Sequence, residues 1–225
     1  MNNFQHLEWD SNFFEYQVGK LSYVPDMDVE GMLQKKRQEG YRLVYLFSTE
    51  KIPTTHFLAD EKVTFACDLT EYEAAESWET YKESHVSPKL LQLAWDSGHY
   101  SRYKLDPLIS EERFKRLYEL WIINSVNKSF ADEVLIHSQG GELAGMISVK
   151  ARNEWGSIGL IAVDSQYRSQ GIGKKLVEDA KAFTKSKGCV GIEVQTQLQN
   201  KRACKFYEEN GFDAKAIQFI YHCWL

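Results

Sequence analysis

The segment YRSQGIGKKL, Tyr167–Leu176, decides how the chain is read. An apolar run, GSIGLIAV (156–163), precedes it, and an amphipathic run follows with Ile172, Leu176, Val177, Ala180 and Phe183 at helical spacing. Strand, glycine turn and helix are therefore predicted in that order, with Gly188 closing the helix. Glycine loses the most backbone freedom on folding, so Gly171 and Gly173 at a helix start point to a need for bare backbone. A turn of this kind presents N–H groups that have no partner within the helix, at the positive end of its dipole. Such a turn suits an anion, phosphate above all. Arg168, Lys174 and Lys175 add positive charge, and Lys201, Arg202 and Lys205 extend it. Taken alone, the glycines fit equally well a tight turn with solvated lysines. The spacing is neither G-x-G-x-x-G nor a P-loop.

Working outward, VGIEVQT (190–196) reads as a strand with Val190, Ile192 and Val194 on one face. Asn200 caps a helix, NKRACKFYEENGF, that ends at Gly211, and AIQFIYHCWL (216–225) is a final strand. Upstream, Ser110 caps the helix SEERFKRLYELWIINSVN, with Glu111 and Glu112 opposing the dipole. EVLIHSQGGELAGMISVK (133–150) reads as a hairpin turning at Gly140 and Gly141. Nearer the start, EGMLQKKRQEGY forms a helix ending at Gly40, and RLVYLFS and KVTFACDL form strands. The polar stretch TEYEAAESWETYKESHVSPK (70–89) suggests a boundary near residue 86, separating a small α/β domain (1–85) from a larger one (86–225). The pattern is a mixed α/β sheet, α+β in type and not doubly wound, because helices are missing between the early strands.

At 225 residues, 43% hydrophobic and 26% charged, the chain is ordinary for a globular protein. Its formal charge of −5 argues against a general nucleic-acid binder. No apolar run reaches membrane-spanning length, and MNNFQHLEWD is not a signal peptide, so neither nucleic acid nor membrane is an expected partner. Cys67, Cys189, Cys204 and Cys223 form no C-x-x-C pair, which fits reduced thiols in a cytoplasmic protein and no metal site.

Arg168-x-x-Gly171-x-Gly173, followed by Asn200-x-x-Ala203-x-x-Phe206-Tyr207 and Gly211-Phe212, carries a resemblance. Residues from about 133 to 225 resemble the GNAT superfamily of acyl-CoA-dependent N-acetyltransferases. The resemblance implies the GNAT fold and acetyl-CoA as cofactor. It implies that the loop amides of Arg168, Ser169, Gln170, Gly171, Ile172, Gly173 and Lys174 hold the coenzyme A pyrophosphate. The pantetheine arm lies between splayed parallel strands, here SIGLIAV with Ile161, Ala162 and Val163, and GIEVQT. Asn200 contacts that arm, and Tyr207 serves as general acid. An amide between Leu160 and Val163 is the expected oxyanion donor.

More of the chain, including LEWDSNFFEYQVGKL, HYSRYKLDP and YELWIINSV, is similar to superfamily members that acetylate a dTDP-linked 4-amino-4,6-dideoxy sugar for surface polysaccharide. Those enzymes carry a truncated N-terminal GNAT-like domain. The implied acceptor is a small nucleotide sugar. Arg102 suits its diphosphate, and Tyr100, Tyr103 or Trp121 its base or sugar. The alternative is that the aromatics are core and Arg102 is a surface charge. His99, Glu154 and a water chain are each open as the base. Other readings are a GNAT enzyme for another amine, such as a polyamine, an aminoglycoside or a protein N-terminus, and a non-catalytic acyl-CoA-binding domain. The final strand either finishes the sheet of one chain or pairs across a homodimer.

Overall fold

The computed structural model describes residues 3–73 and 77–225. The chain begins β1 (Phe4–His6), α1 (Glu8–Phe14), β2 (Gln17–Ser22), α2 (Val29–Gln38), β3 (Tyr41–Ser48) and β4 (Phe57–Asp68). There follow β5 (Glu79–Thr80), α3 (Pro88–Ser97), α4 (Arg102–Leu105) and α5 (Glu111–Val126). The last part is β6 (Glu133–Gln139), β7 (Glu142–Arg152), β8 (Trp155–Val163), α6 (Ile172–Ser186), β9 (Gly191–Gln197), α7 (Lys201–Glu209) and β10 (Asp213–Trp224).

The chain divides into two compact units. One is Met1–Lys62 with Leu105–Leu108 and Ile217–Leu225; the other is Val63–Lys104 with Ile109–Ala216. The division falls at Lys62 and Val63, whereas the sequence suggests one cut near residue 86. Two non-local interactions account for the extra segments. β10 pairs antiparallel with β3, from Phe219 opposite Ser48 to Trp224 opposite Leu43, so the last strand completes a sheet of its own chain. The buried Asp106 carboxylate accepts from Trp224 Nε1 at 2.9 Å and pairs with His222 Nδ1 at 2.5 Å. The expected linker also holds β5 and the start of α3, while Ala74, Ala75 and Glu76 lie outside the described residues.

In the first unit β2 runs parallel to β3, and Leu21, Leu33, Val44, Leu46, Tyr221 and Cys223 form the core. In the second, the strands lie in the order β4-β9-β8-β7-β6-β5. β6 and β7 are the predicted hairpin, with Gly140 and Gly141 at φ 62° and 84°. Positive φ at both central turn residues matches the twist of a hairpin and favours glycine. β8 is antiparallel to β7 and parallel to β9, which makes the sheet mixed as expected. Ser110 caps α5 by accepting the Arg113 N–H at 3.2 Å.

α6 lays Ile172, Leu176, Val177, Ala180 and Phe183 onto Val149 and Ile158 of the hairpin side and Ile192 and Val194 of β9. The predicted face of β9 holds for Ile192 and Val194. Val190 precedes the strand and is 41% exposed, and Thr196 takes the third buried position. Lys181 is buried on α6, where it donates to the Asn210 carbonyl at 2.6 Å and to Glu178 at 2.9 Å, fastening the end of α7 to α6. No described helix is long and apolar enough to cross a membrane.

Leu176 is fully buried at the centre of this core. Leu176→Ala is expected to lower the unfolding free energy by about 3 kcal/mol, measured by urea denaturation, from lost transfer energy and an unfilled cavity.

Candidate active site

β8 and β9 pair in parallel from Trp155 opposite Gly191 to Ile158 opposite Val194, and the pairing ends there. Beyond that point β8 keeps only β7. The β7–β8 ladder bulges, with Ser148 of β7 facing both Gly159 and Leu160 of β8. Ser148 Oγ accepts the Leu160 N–H at 2.8 Å, and a Cβ on Gly159 would come within 2.9 Å of that oxygen. The Asp164 N–H also points to β7, donating to the Ala144 carbonyl at 2.9 Å. Amides alternate edges along a strand. Those of Ile161 and Val163 therefore face the edge that β9 has left. The Val163 carbonyl, on the same edge, accepts from Arg168 Nε at 3.0 Å.

The loop from Asp164 to Gly171 is held in several places. Asp164 Oδ1 accepts the Gln166 N–H at 2.8 Å, starting a single 3₁₀ turn over Ser165–Tyr167. Asp164 Oδ2 pairs with Lys89 of α3. The Lys89 hydrogen bond and the Gln166 amide hold the Asp164 carboxyl below the usual carboxylate range. Tyr167 donates to Glu142 at 3.0 Å, and Gln139 donates to Gln170 at 2.9 Å. Ser169 and Gly171 take φ 63° and 82°, and α6 then begins with no side chain capping its first N–H groups. No acidic residue stands in that first turn, and Lys174 and Lys175 do. Cations at a helix N-terminus oppose the dipole, whereas an anion there satisfies both.

The two glycines differ. Gly171 sits in open space at positive φ, so its need is conformational. A Cβ on Gly173 would meet the Phe206 ring at 3.4 Å and Val163 at 3.8 Å, ordinary contact distances, so neither φ nor packing within the chain demands glycine there. The flanking positive charge is thinner than the sequence suggests. Lys175 pairs with Asp179, Lys205 lies 3.6 Å from Glu209, and Lys174, Lys201 and Arg202 are exposed.

Asn200 Oδ1 accepts the Ala203 N–H at 3.1 Å, so Asn200 is the N-cap that fixes the start of α7. Two turns on, Tyr207 is 3% exposed among Phe65, Phe206 and Phe212, with ring centroids 5.3–5.7 Å apart. Burial pushes its pKa above the ordinary tyrosine value, with Cys204 adding in the same direction. Tyr207 is therefore a neutral donor. Its hydroxyl makes no hydrogen bond to a described residue. The ring is buried while the hydroxyl is left free to donate to a ligand.

Of the acceptor candidates, Arg102, Tyr103 and Trp121 come together. Arg102 donates to the Tyr103 hydroxyl at 2.6 Å and lies over its ring at 4.5 Å, while Tyr103 meets Trp121 edge-on at 5.8 Å. Tyr103 is buried, so it is partly core. His99 and Tyr100 are exposed and pair with each other at 5.1 Å. Glu154 precedes β8, at the end away from the loop. At about 3.3 Å per residue it stands roughly 30 Å of strand from Val163, too far to act as a base for chemistry there. Lys89 and Asp164 were not legible as a pair. The signal for the helix carrying Lys89 is Ser87-Pro88 before an apolar run, and Ser87 does cap α3, accepting the Leu90 N–H at 3.2 Å.

Gly171→Ala places a β-carbon at φ 82° and is expected to cost about 1–2 kcal/mol of stability. Gly173→Ala, already helical, is expected to cost less than half of that; chemical denaturation of both variants checks the order.

The model of the acetyltransferase (GNAT) family matches residues 88–212, beginning at α3 and covering more than half of the chain. The spore coat polysaccharide biosynthesis protein SpsD of Bacillus subtilis is 27% identical over 135 residues, 60% of this chain and 46% of that protein. The dTDP-fucosamine acetyltransferase of Escherichia coli O6:H1 is 28% identical over 134 residues, 59% of this chain and 57% of that enzyme. The chain thus spans about half the length of these relatives. In fold, it is similar to a GCN5-related N-acetyltransferase from Sphaerobacter thermophilus, with TM-score 0.56 and 13% identity over 98% of this chain and 76% of that one. With its mixed sheet, the parting of β8 from β9 and the family match over residues 88–212, the chain belongs to the GNAT family of acetyltransferases.

Proposed function

We propose that the chain transfers an acetyl group from acetyl-CoA to the amino group of a nucleotide-linked amino-deoxy sugar. The observation that carries the donor half is the parting of β8 from β9 at Ile158 and Val194, beside the uncapped start of α6. The amides of Ser169 to Lys174 are suited to a diphosphate, and those of Ile161 and Val163 to the amides or acyl oxygen of a pantetheine thioester. Bound there, acetyl-CoA supplies an acetyl thioester and, on transfer, a thiolate. Either Ile161 or Val163 N–H is the donor for negative charge on the acyl oxygen, already aimed and needing no reorganisation.

Tyr207 is the general acid in this reading. Tyrosine, with a pKa of about 10, is protonated near neutral pH, so the phenol can donate a hydrogen bond to the departing sulfur and pass on its proton as another is supplied from solvent or the acceptor amine. Burial raises the Tyr207 pKa, so the phenol stays protonated throughout the ordinary assay range. Asn200, spent on capping α7, acts by placing Tyr207, and its remaining amide hydrogens are available to the cofactor arm.

The acceptor half rests on likeness to the dTDP-fucosamine acetyltransferase and on the grouping of Arg102, Tyr103 and Trp121. A guanidinium beside two aromatic rings suits a diphosphate attached to a flat base. In this reading the N-terminal part is a truncated GNAT-like domain.

The test is acetyl transfer from acetyl-CoA to a panel comprising a dTDP-4-amino-4,6-dideoxyhexose, spermidine, an aminoglycoside and a peptide with a free N-terminus. The expected result is the largest kcat/KM on the nucleotide sugar. Preference for another amine overturns the acceptor, and binding of acetyl-CoA without any turnover overturns the enzyme. Tyr207→Phe is expected to lower kcat about 100-fold while leaving KM for acetyl-CoA within about twofold. The sign of the pKa shift adds a pH prediction. The donor form is the protonated one, so wild-type kcat should not fall from phenol ionisation between pH 7 and about pH 10.

A further inference from the structure

Lys89 lies in the first turn of α3 and pairs with Asp164, 75 residues further along the chain. Asp164 is 8% exposed and forms the joint between β8 and the glycine loop. Its N–H is fixed on the Ala144 carbonyl at 2.9 Å and its Oδ1 holds the Gln166 N–H at 2.8 Å. The loop needs that carboxylate for its shape. The same carboxylate is a fixed negative charge at the start of the loop whose later amides are read above as a diphosphate site. Glu142, held by Tyr167 at 3.0 Å, places a second acid along the loop. Of the nearby cations, Lys174 stays exposed, and Arg168 also acts on Asp164 by its charge, but Lys89 alone among the described residues has its ammonium on the carboxylate itself. Arg168 donates Nε to the Val163 carbonyl, and Lys175 pairs with Asp179.

We propose that Lys89 is a positioning residue for cofactor binding: its ammonium neutralises Asp164, so the carboxylate can shape the loop without repelling a diphosphate. The inference rests on the diphosphate reading of the loop and goes beyond it by assigning a role to a residue of a different helix, outside the glycine turn. Like charges at this range act through several ångströms of partly screened medium, which sets the expected effect near one order of magnitude.

The experiment is calorimetry on the full chain with two probes, coenzyme A and pantetheine, the same arm without the diphosphate. Lys89→Met is expected to weaken coenzyme A about tenfold and to leave pantetheine within about twofold. Lys89→Arg, which keeps the charge, is expected to bind coenzyme A like the wild type. Adding Asp164→Asn to Lys89→Met is expected to recover most of the loss, because asparagine still accepts from Gln166 without a charge. A wild-type coenzyme A affinity in Lys89→Met, or equal weakening of both probes, overturns the inference while leaving the diphosphate reading standing. No coenzyme A binding by the wild type overturns both. Should Lys89→Met fail to fold, Asp164→Asn alone decides. Coenzyme A binding as tight as wild type or tighter supports the charge role, and weakening beyond about threefold overturns it.

Discussion

Beyond Ile158, the amides of Ile161 and Val163 face an edge from which β9 has departed. A backbone N–H without a partner inside a fold is costly, and a strand edge in that state is ready to pair with whatever offers carbonyls in register. The rest of the second unit is arranged around keeping that edge open. The bulge at Gly159 and Leu160 turns β8 as it passes Ser148, whose hydroxyl takes the one amide the ladder leaves over. Arg168 covers the Val163 carbonyl, so one acceptor on that edge is satisfied while the donors stay available. α6 starts just past this point, with its own first amides uncapped, and extends the row of donors from strand into helix. A thioester cofactor with two amides in its arm and a diphosphate behind them is the chemical complement of such a row.

The electrostatics follow the same economy. The chain carries a net charge of −5, and Lys175 and Lys205 near the loop lie against acids, so oriented backbone carries a large share of the attraction proposed for an anion. Backbone donors keep their direction and cannot lose a proton, which suits the diphosphate and thioester proposed for this site. Tyr207 completes the arrangement by the opposite means. Its environment is apolar, which keeps the phenol neutral, the form the proposed general-acid role requires.

The second unit was readable in the sequence wherever local chemistry dictates local form. The α6 apolar spacing, the glycine pair at the β6–β7 turn and the caps Ser110 and Asn200 each act within a few residues, and each stands as expected. The N-terminal β1, α1 and β2 were not read as elements, because the aromatic-rich stretch LEWDSNFFEYQ has no clear period. α3 was hidden because its cap and proline close a polar stretch that reads as linker. The division at Lys62 and Val63 differs from the boundary suggested near residue 86 for another reason. β10 and Asp106 join the first unit through pairings with residues far away in sequence, which no window can detect. The loop Arg168–Lys174, Asn200 and Tyr207 were legible as a spaced motif. The strand parting and the Lys89–Asp164 pair were not, since both are properties of chain crossings.

The most direct measurement is a titration of the isotopically labelled protein with coenzyme A, followed by backbone amide NMR. The account predicts that the largest shifts fall on Ile161, Val163 and Ser169 to Lys174, with Leu160 and Asp164, whose N–H groups are already bonded within the sheet, moving little. Binding that leaves the 169–174 amides unmoved, or shifts clustered elsewhere in the chain, would contradict it.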